Sequence, residues 1–165
     1  MDEETLAIIK PDSFWRNLDR EVDARIKSLG LTVVVERTLA GEENLSEAQW
    51  REFYFPSIGD KPAIITGTAK YMAHGPVKVI HLRGSGAIQT VRRAVGATRP
   101  WQAEKGTIRG DFWAGADEAN ASYRQKFQQP GDAQFLFNMV HASDSETSFQ
   151  REIQFFIESV RSANR

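Results

Sequence analysis

Two periods alternate along this chain: short apolar runs suited to strands, and apolar residues three or four apart suited to helices. The first run, Thr5 to Ile9, ends at Lys10-Pro11-Asp12. Pro11 has no N–H to give a ladder and holds Lys10 extended, so the run predicts a buried strand and then a turn. Val22, Ile26 and Leu29 fall on one helical face that Gly30 closes. Leu31 to Val35 is rich in β-branched residues and predicts a second strand. Ser46-x-x-Gln49 is a capping box, opening a helix through Trp50 and Phe53. A short helix follows over Gly67 to Met72, and the Gly75-Pro76 breaker leads into a third strand, Val77 to Leu82. Gly84 to Val95 reads as helix, and Gly96 to Asp111, aperiodic with Pro100, Gly106 and Gly110, as a long ordered loop. Phe135 to Val140 is the expected fourth strand. Ser143-x-x-Glu146 reads as a second capping box, before a helix with Phe149, Ile153, Phe156, Ile157 and Val160 on one stripe.

Reduced to its frame, the order is βαββαβ, the ferredoxin-like pattern of the α+β class. Helices would cover one face of a four-stranded antiparallel sheet. No repeat or low-complexity segment breaks the chain. Its 165 residues fit a single domain over 1–165, with one polar, Gln-rich excursion at about 114–133. Within that excursion Tyr123 and Phe127 lie four apart on one helical face, suited to packing on the parent domain or, the reading favoured, on a neighbouring subunit.

A formal charge of −1 gives no bulk drive toward nucleic acid, so any anion site must be local. The chain has no cysteine, which excludes disulfides and suits a reducing compartment. Its acidic start lacks a secretory pattern, and no apolar run is long enough to span a bilayer. A cytoplasmic protein, with no membrane or nucleic-acid partner, is expected.

Three histidines are available for chemistry. His74 precedes a breaker and reads as a surface loop residue, and His81 lies within a strand pattern and reads as structural. His141 stands between a strand end and a helix start, a common place for a site. Arg92, Arg93, Arg99, Lys105 and Arg109 flank or occupy the glycine-bearing loop. Guanidinium groups bond phosphate in a forked manner, although a solvated loop would carry the same residues. Lys10 is either a snorkelling surface lysine or a fixed charge for phosphate. There is no Walker A sequence and no protein-kinase motif set.

Four segments, in order, resemble nucleoside diphosphate kinases over nearly the whole chain. They are Thr5 to Asp12, Tyr71-Met72 with Gly75-Pro76-Val77, Gly106 to Phe112, and Asn138 to Ser145, the last similar to the signature Asn-x-x-His-Gly-Ser-Asp. The resemblance implies ping-pong transfer of a γ-phosphate from ATP or another nucleoside triphosphate to a diphosphate, through a phosphohistidine. It assigns His141 as nucleophile, oriented by Glu152 and Ser143. Lys10, Arg92, Thr98 and Arg109 would hold phosphate, Asn138 the sugar side, and Tyr54 would pack beside the histidine. Mg²⁺ would arrive on the nucleotide phosphates, with no metal ligands from the protein. A homo-oligomer, hexamer or tetramer, is implied as well.

The chain departs from the pattern in places. Pro62-Ala63-Ile64 replaces a Pro-Phe-Phe whose aromatic stacks on the base, Ala142 replaces the signature glycine, and Arg99 stands where Asn is common. Two other classes share this frame. A nucleotide-binding regulator would not need the nucleophile. An RNA-binding module would carry exposed strand aromatics and a basic face.

Overall fold

The computed structural model describes residues 2–113, 121–122, 125–127 and 137–163, with side chains as far as residue 157 in the last stretch. Strand β1 (Asp2–Ile9) is flanked on both sides. It pairs antiparallel with β3 (Val77–Ser85), from Asp2 opposite Ser85 to Ile9 opposite Lys78. On its other edge it pairs antiparallel with the short β4 (Val140–Ala142), placing Ile8 opposite His141. β2 (Thr32–Leu39) lies outside β3, so the order is β2-β3-β1-β4, the ferredoxin-like arrangement.

The helices are α1 (Pro11–Trp15), α2 (Asp19–Lys27), α3 (Glu47–Ile58), α4 (Pro62–Ala73), α5 (Ala87–Val95), α6 (Ile108–Phe112) and α7 (Glu146–Ala163). They pack on both faces of the sheet rather than one. Leu6 and Ile8 join Trp50, Tyr71, Phe149 and Phe156 in one apolar cluster. Ala7 and Ile9 turn to the opposite face and join Ile26, Val91, Val95 and Ile108 in another. Alternate residues of a strand point to opposite faces, so an unbroken apolar run is what a strand covered on both sides requires. Thr5 to Ile9 has no exposed surface.

Several boundaries differ from the sequence reading. Pro11 begins a helical turn, with its absent N–H falling where a first-turn donor has no partner. β3 extends to Ser85, and Gly86, at φ +60°, turns the chain into α5. The short helix expected from Gly67 starts at Pro62. The aperiodic loop contains α6, capped by Thr107, whose hydroxyl accepts from Gly110 N at 3.1 Å. The fourth strand begins only at Val140, since Met139 has φ +69° and cannot continue a ladder; residues 135–136 lie outside the described set. Of the excursion at 114–133, only residues 121–122 and 125–127 are described, and Tyr123 is not among them. Phe127 does not present itself to a second subunit. It is buried in its own chain, stacked on Trp15 at 5.7 Å and edge-on to Tyr71. No described helix is long and apolar enough to cross a membrane.

Candidate active site

The ends of β1 and β4, helices α3 and α5 and the segment from Gly96 to Arg109 surround a cavity of about 260 Å³. Lys10, Tyr54, Arg92, Thr98, Arg109, Asn138 and His141 line it together. Ser143 and Glu152 sit behind His141, both buried. Ser57, Ile58 and Asp144 also face it and were not singled out. Asp144 lies inside the quoted signature, whereas Ser57 and Ile58 carry no sequence signal for a site.

His141 is central in β4. Its Nε2 is buried and lies 3.0 Å from Glu152 Oε1, out of line for a well-formed hydrogen bond. Glu152 Oε2 accepts from the Ser143 hydroxyl at 2.7 Å, and Ser143 Oγ in turn accepts from Leu6 N at 3.2 Å. Ser143 therefore braces the carboxylate and does not cap a helix. The cap of α7 is Ser145, whose Oγ accepts from Ser148 N at 3.1 Å. Phe53 and Tyr54 meet the imidazole edge-on at 5.4 and 5.8 Å. With Nε2 turned to Glu152, Nδ1 is the ring nitrogen left for the cavity.

The strand exit at Lys10 meets the backbone before His141. Met139, strained at positive φ, donates its N–H to Asp12 Oδ2 at 3.0 Å. Its carbonyl accepts from Lys10 N at 2.8 Å and from the Ser13 hydroxyl at 3.0 Å. These bonds over-determine a conformation that a non-glycine residue rarely holds. Asp12 Oδ1 also accepts from Tyr71 OH at 2.6 Å. Burial pushes the Asp12 carboxyl up, against the pull of Lys10 and of its own hydrogen bonds. Burial brings the Lys10 ammonium down to about 7; Asp12 opposes that and Arg109 adds to it. Lys10 Nζ donates to Asn138 Oδ1 at 3.0 Å, and Asn138 Nδ2 donates to Thr98 O at 2.9 Å.

Arg109 acts partly as a strut. Nε donates to Asn138 O at 3.1 Å, Nη1 to Gly96 O at 3.0 Å and Nη2 to Val140 O at 2.5 Å. Burial, with Arg92 nearby, lowers it to about 10. The segment it holds is tightly closed. A Cβ on Gly110 would press into the Glu104 carbonyl, and one on Gly96 would stand 2.5 Å from Thr107 Oγ1. The Arg92 side chain makes no hydrogen bond to a described residue and faces the cavity.

His74 ends α4 with Nδ1 2.7 Å from Lys70 O, and His81 lies on β3 near Glu4 and Phe149; neither lines the cavity. The arrangement suits an anionic ligand placed against an imidazole nitrogen, with cations on several sides. Among the described residues, no three His, Asp or Glu side chains cluster to hold a metal.

The family profile described as nucleoside diphosphate kinase matches residues 3–161. A nucleoside diphosphate kinase of Methanosphaera stadtmanae is 36% identical over 158 residues, spanning 96% of this chain and 88% of that one. The Pyrobaculum aerophilum enzyme is 31% identical over 93% of this chain and 94% of its own. Among solved structures, a transition-state mimic of the Borrelia burgdorferi enzyme with bound vanadate and ADP superposes with TM-score 0.72 at 28% identity. It covers 93% of this chain and 86% of the other. A Halobacterium salinarum enzyme in complex with CDP also gives 0.72, at 29% identity over 94% and 88%.

Proposed function

The chain belongs to the nucleoside diphosphate kinase family, and on that premise we propose that His141 carries the phosphoryl group between the two half-reactions. It is a phosphotransferase that binds nucleotides and moves a γ-phosphate from a nucleoside triphosphate to a nucleoside diphosphate by ping-pong transfer.

In the first half-reaction, Nδ1 of neutral His141 attacks the γ-phosphorus. The N–P bond forms as the bond to the bridging oxygen breaks, and the electron pair leaves on the diphosphate. Positive charge on the ring is met by Glu152 at 3.0 Å from Nε2, which Ser143 holds in place. The acceptor diphosphate then enters the same cavity, and its terminal oxygen reverses the step. Arg92, Arg109, Lys10 and Thr98 hold the phosphates where charge develops, Asn138 the sugar side, and Tyr54 fixes the imidazole face. The vanadate and ADP bound by the Borrelia relative support placing a transferring phosphoryl group in the corresponding cavity here.

Mg²⁺ belongs to this reading as the partner of the nucleotide, where it would offset phosphate charge. Among the described residues Asp144 is the one carboxylate on the cavity wall, so the protein would offer the ion few ligands of its own. We further read residues 1–165 as one domain, acting in the cytoplasm as a homo-oligomer, hexamer or tetramer; fractionation and light scattering test the last two. The observation that carries the proposal is the His141 ring, set between the cavity and a buried, braced carboxylate. Incubation with γ-labelled ATP tests it. Acid-labile label should appear on the protein and be absent from His141→Ala. Equal labelling of that variant removes the assignment.

A further inference from the structure

We infer that Arg151 is a positioning residue that shares Glu152 Oε1 with His141, and thereby limits how strongly this carboxylate holds a proton on the imidazole. The inference rests on His141 as the nucleophile. Glu152 has two oxygens in different company. Oε2 is taken by the Ser143 hydroxyl at 2.7 Å. Oε1 lies 3.0 Å from His141 Nε2 and 3.6 Å from Arg151 Nη2. The Glu152 side chain is 4% exposed and that of Arg151 41%, so Arg151 is the solvent-side partner of a buried charge. Arg151, Glu152 and Pro56 line two hollows in common, of about 90 and 320 Å³.

The chemistry gives this sharing a use. A carboxylate facing imidazole alone favours imidazolium and removes the neutral nucleophile as pH falls. A cation on the same oxygen weakens that pull before attack, and still leaves the carboxylate ionised to receive Nε2–H once Nδ1 is phosphorylated. The other charged and titratable groups that line a hollow with His141 are Tyr54 from α3, Arg92 from α5, Lys10 at the end of β1, Arg109 from α6 and Asp144 after β4. Arg151 is the cation that pairs with Glu152 among the described residues.

Proton NMR titration of the full chain tests this, with His141 identified by its loss in His141→Ala. In Arg151→Gln the His141 midpoint should rise by about 0.2–0.7 pH unit, the scale of one partly exposed ion pair. The acid limb of kcat/KM should move the same way, Arg151→Lys should restore both, and added salt should narrow the difference. A midpoint that stays, falls, or is not restored by lysine overturns the inference. Failure of the phosphohistidine reading is distinct: label would be missing from the wild-type protein while the midpoint still shifted.

Discussion

The two sides of the cavity are built by opposite means. On the side of β1, β4 and α6, the polar groups are already engaged. Lys10 bonds Asn138, Asn138 bonds Thr98 O, and Arg109 spans three carbonyls. The open groups are Arg92 on α5, whose side chain makes no hydrogen bond to a described residue, and His141, which keeps Nδ1 available although its strand lies on the engaged side. The engaged side gives the site its shape, and the open groups have their bonding capacity in reserve for a ligand. Preorganised groups of the first kind need little rearrangement when charge develops on a substrate.

The sharpest break of that contrast comes from the open groups. His141→Ala should reduce transfer by at least about a thousandfold, the scale for losing a covalent nucleophile. Its thermal midpoint should stay close to wild type, as read by calorimetry, because Ser143 still donates to Glu152 when the ring is gone. Near-normal turnover would refute the central assignment. His74→Ala and His81→Ala should each keep substantial activity in the same assay.

The two arginines set the sides against each other. Arg109→Ala should lose about 3 kcal/mol of stability, at about 1 kcal/mol for each carbonyl left without its donor. Its transfer rate should fall about tenfold to a thousandfold, and more than its affinity for a diphosphate. Arg92→Ala should lose rate on a similar scale, yet change stability by less than about 0.5 kcal/mol. Urea denaturation beside steady-state kinetics separates the two, and equal destabilisation by both variants would erase the contrast.

Lys10 adds a pH dependence. Burial brings its ammonium down to about 7, so its charge is lost as pH rises through that value. A bound diphosphate favours the charged form, and binding above pH 7 must therefore take up a proton. Affinity should fall as pH rises above 7, by at most about tenfold per pH unit. Calorimetry in two buffers of different ionisation enthalpy counts the proton, and Lys10→Met should abolish the uptake. The smallest effect concerns the base. Ile58 is the large aliphatic side chain on the α3 side of the cavity, and no stacking ring stands at Ala63. Adenine and guanine substrates should differ by less than about 2 kcal/mol in transition-state binding, measured as a ratio of kcat/KM.

Much of the site was legible because it lies in contiguous motifs. Asn138 and His141 share one, and Lys10 ends the first strand. The engaged side was legible only as charge. Nothing in the letters of Arg109 says that three of its donors go to backbone, since those carbonyls come from segments far apart in sequence. Ser143 was misread for a related reason. The Ser-x-x-Glu spacing fits a cap, but Ser145 two residues later supplies it, and a contact with Leu6 decides between them. The strain at Met139 has no residue signature at all, because methionine does not advertise positive φ. Covering of both sheet faces was present in the unbroken run Thr5 to Ile9; strand order and helix placement were needed to read it.

Gly110 and Gly96 set different limits on how this segment can evolve. At Gly110 the obstacle to a side chain is the backbone carbonyl of Glu104, so no exchange of a neighbouring side chain can clear room for it. At Gly96 the obstacle is the Thr107 side chain, and a smaller residue there opens space, although φ +89° still disfavours a Cβ. In a library of variants selected for activity, position 110 should behave as a fixed point. Position 96 should admit rare replacements, and those should arise together with a change at 107.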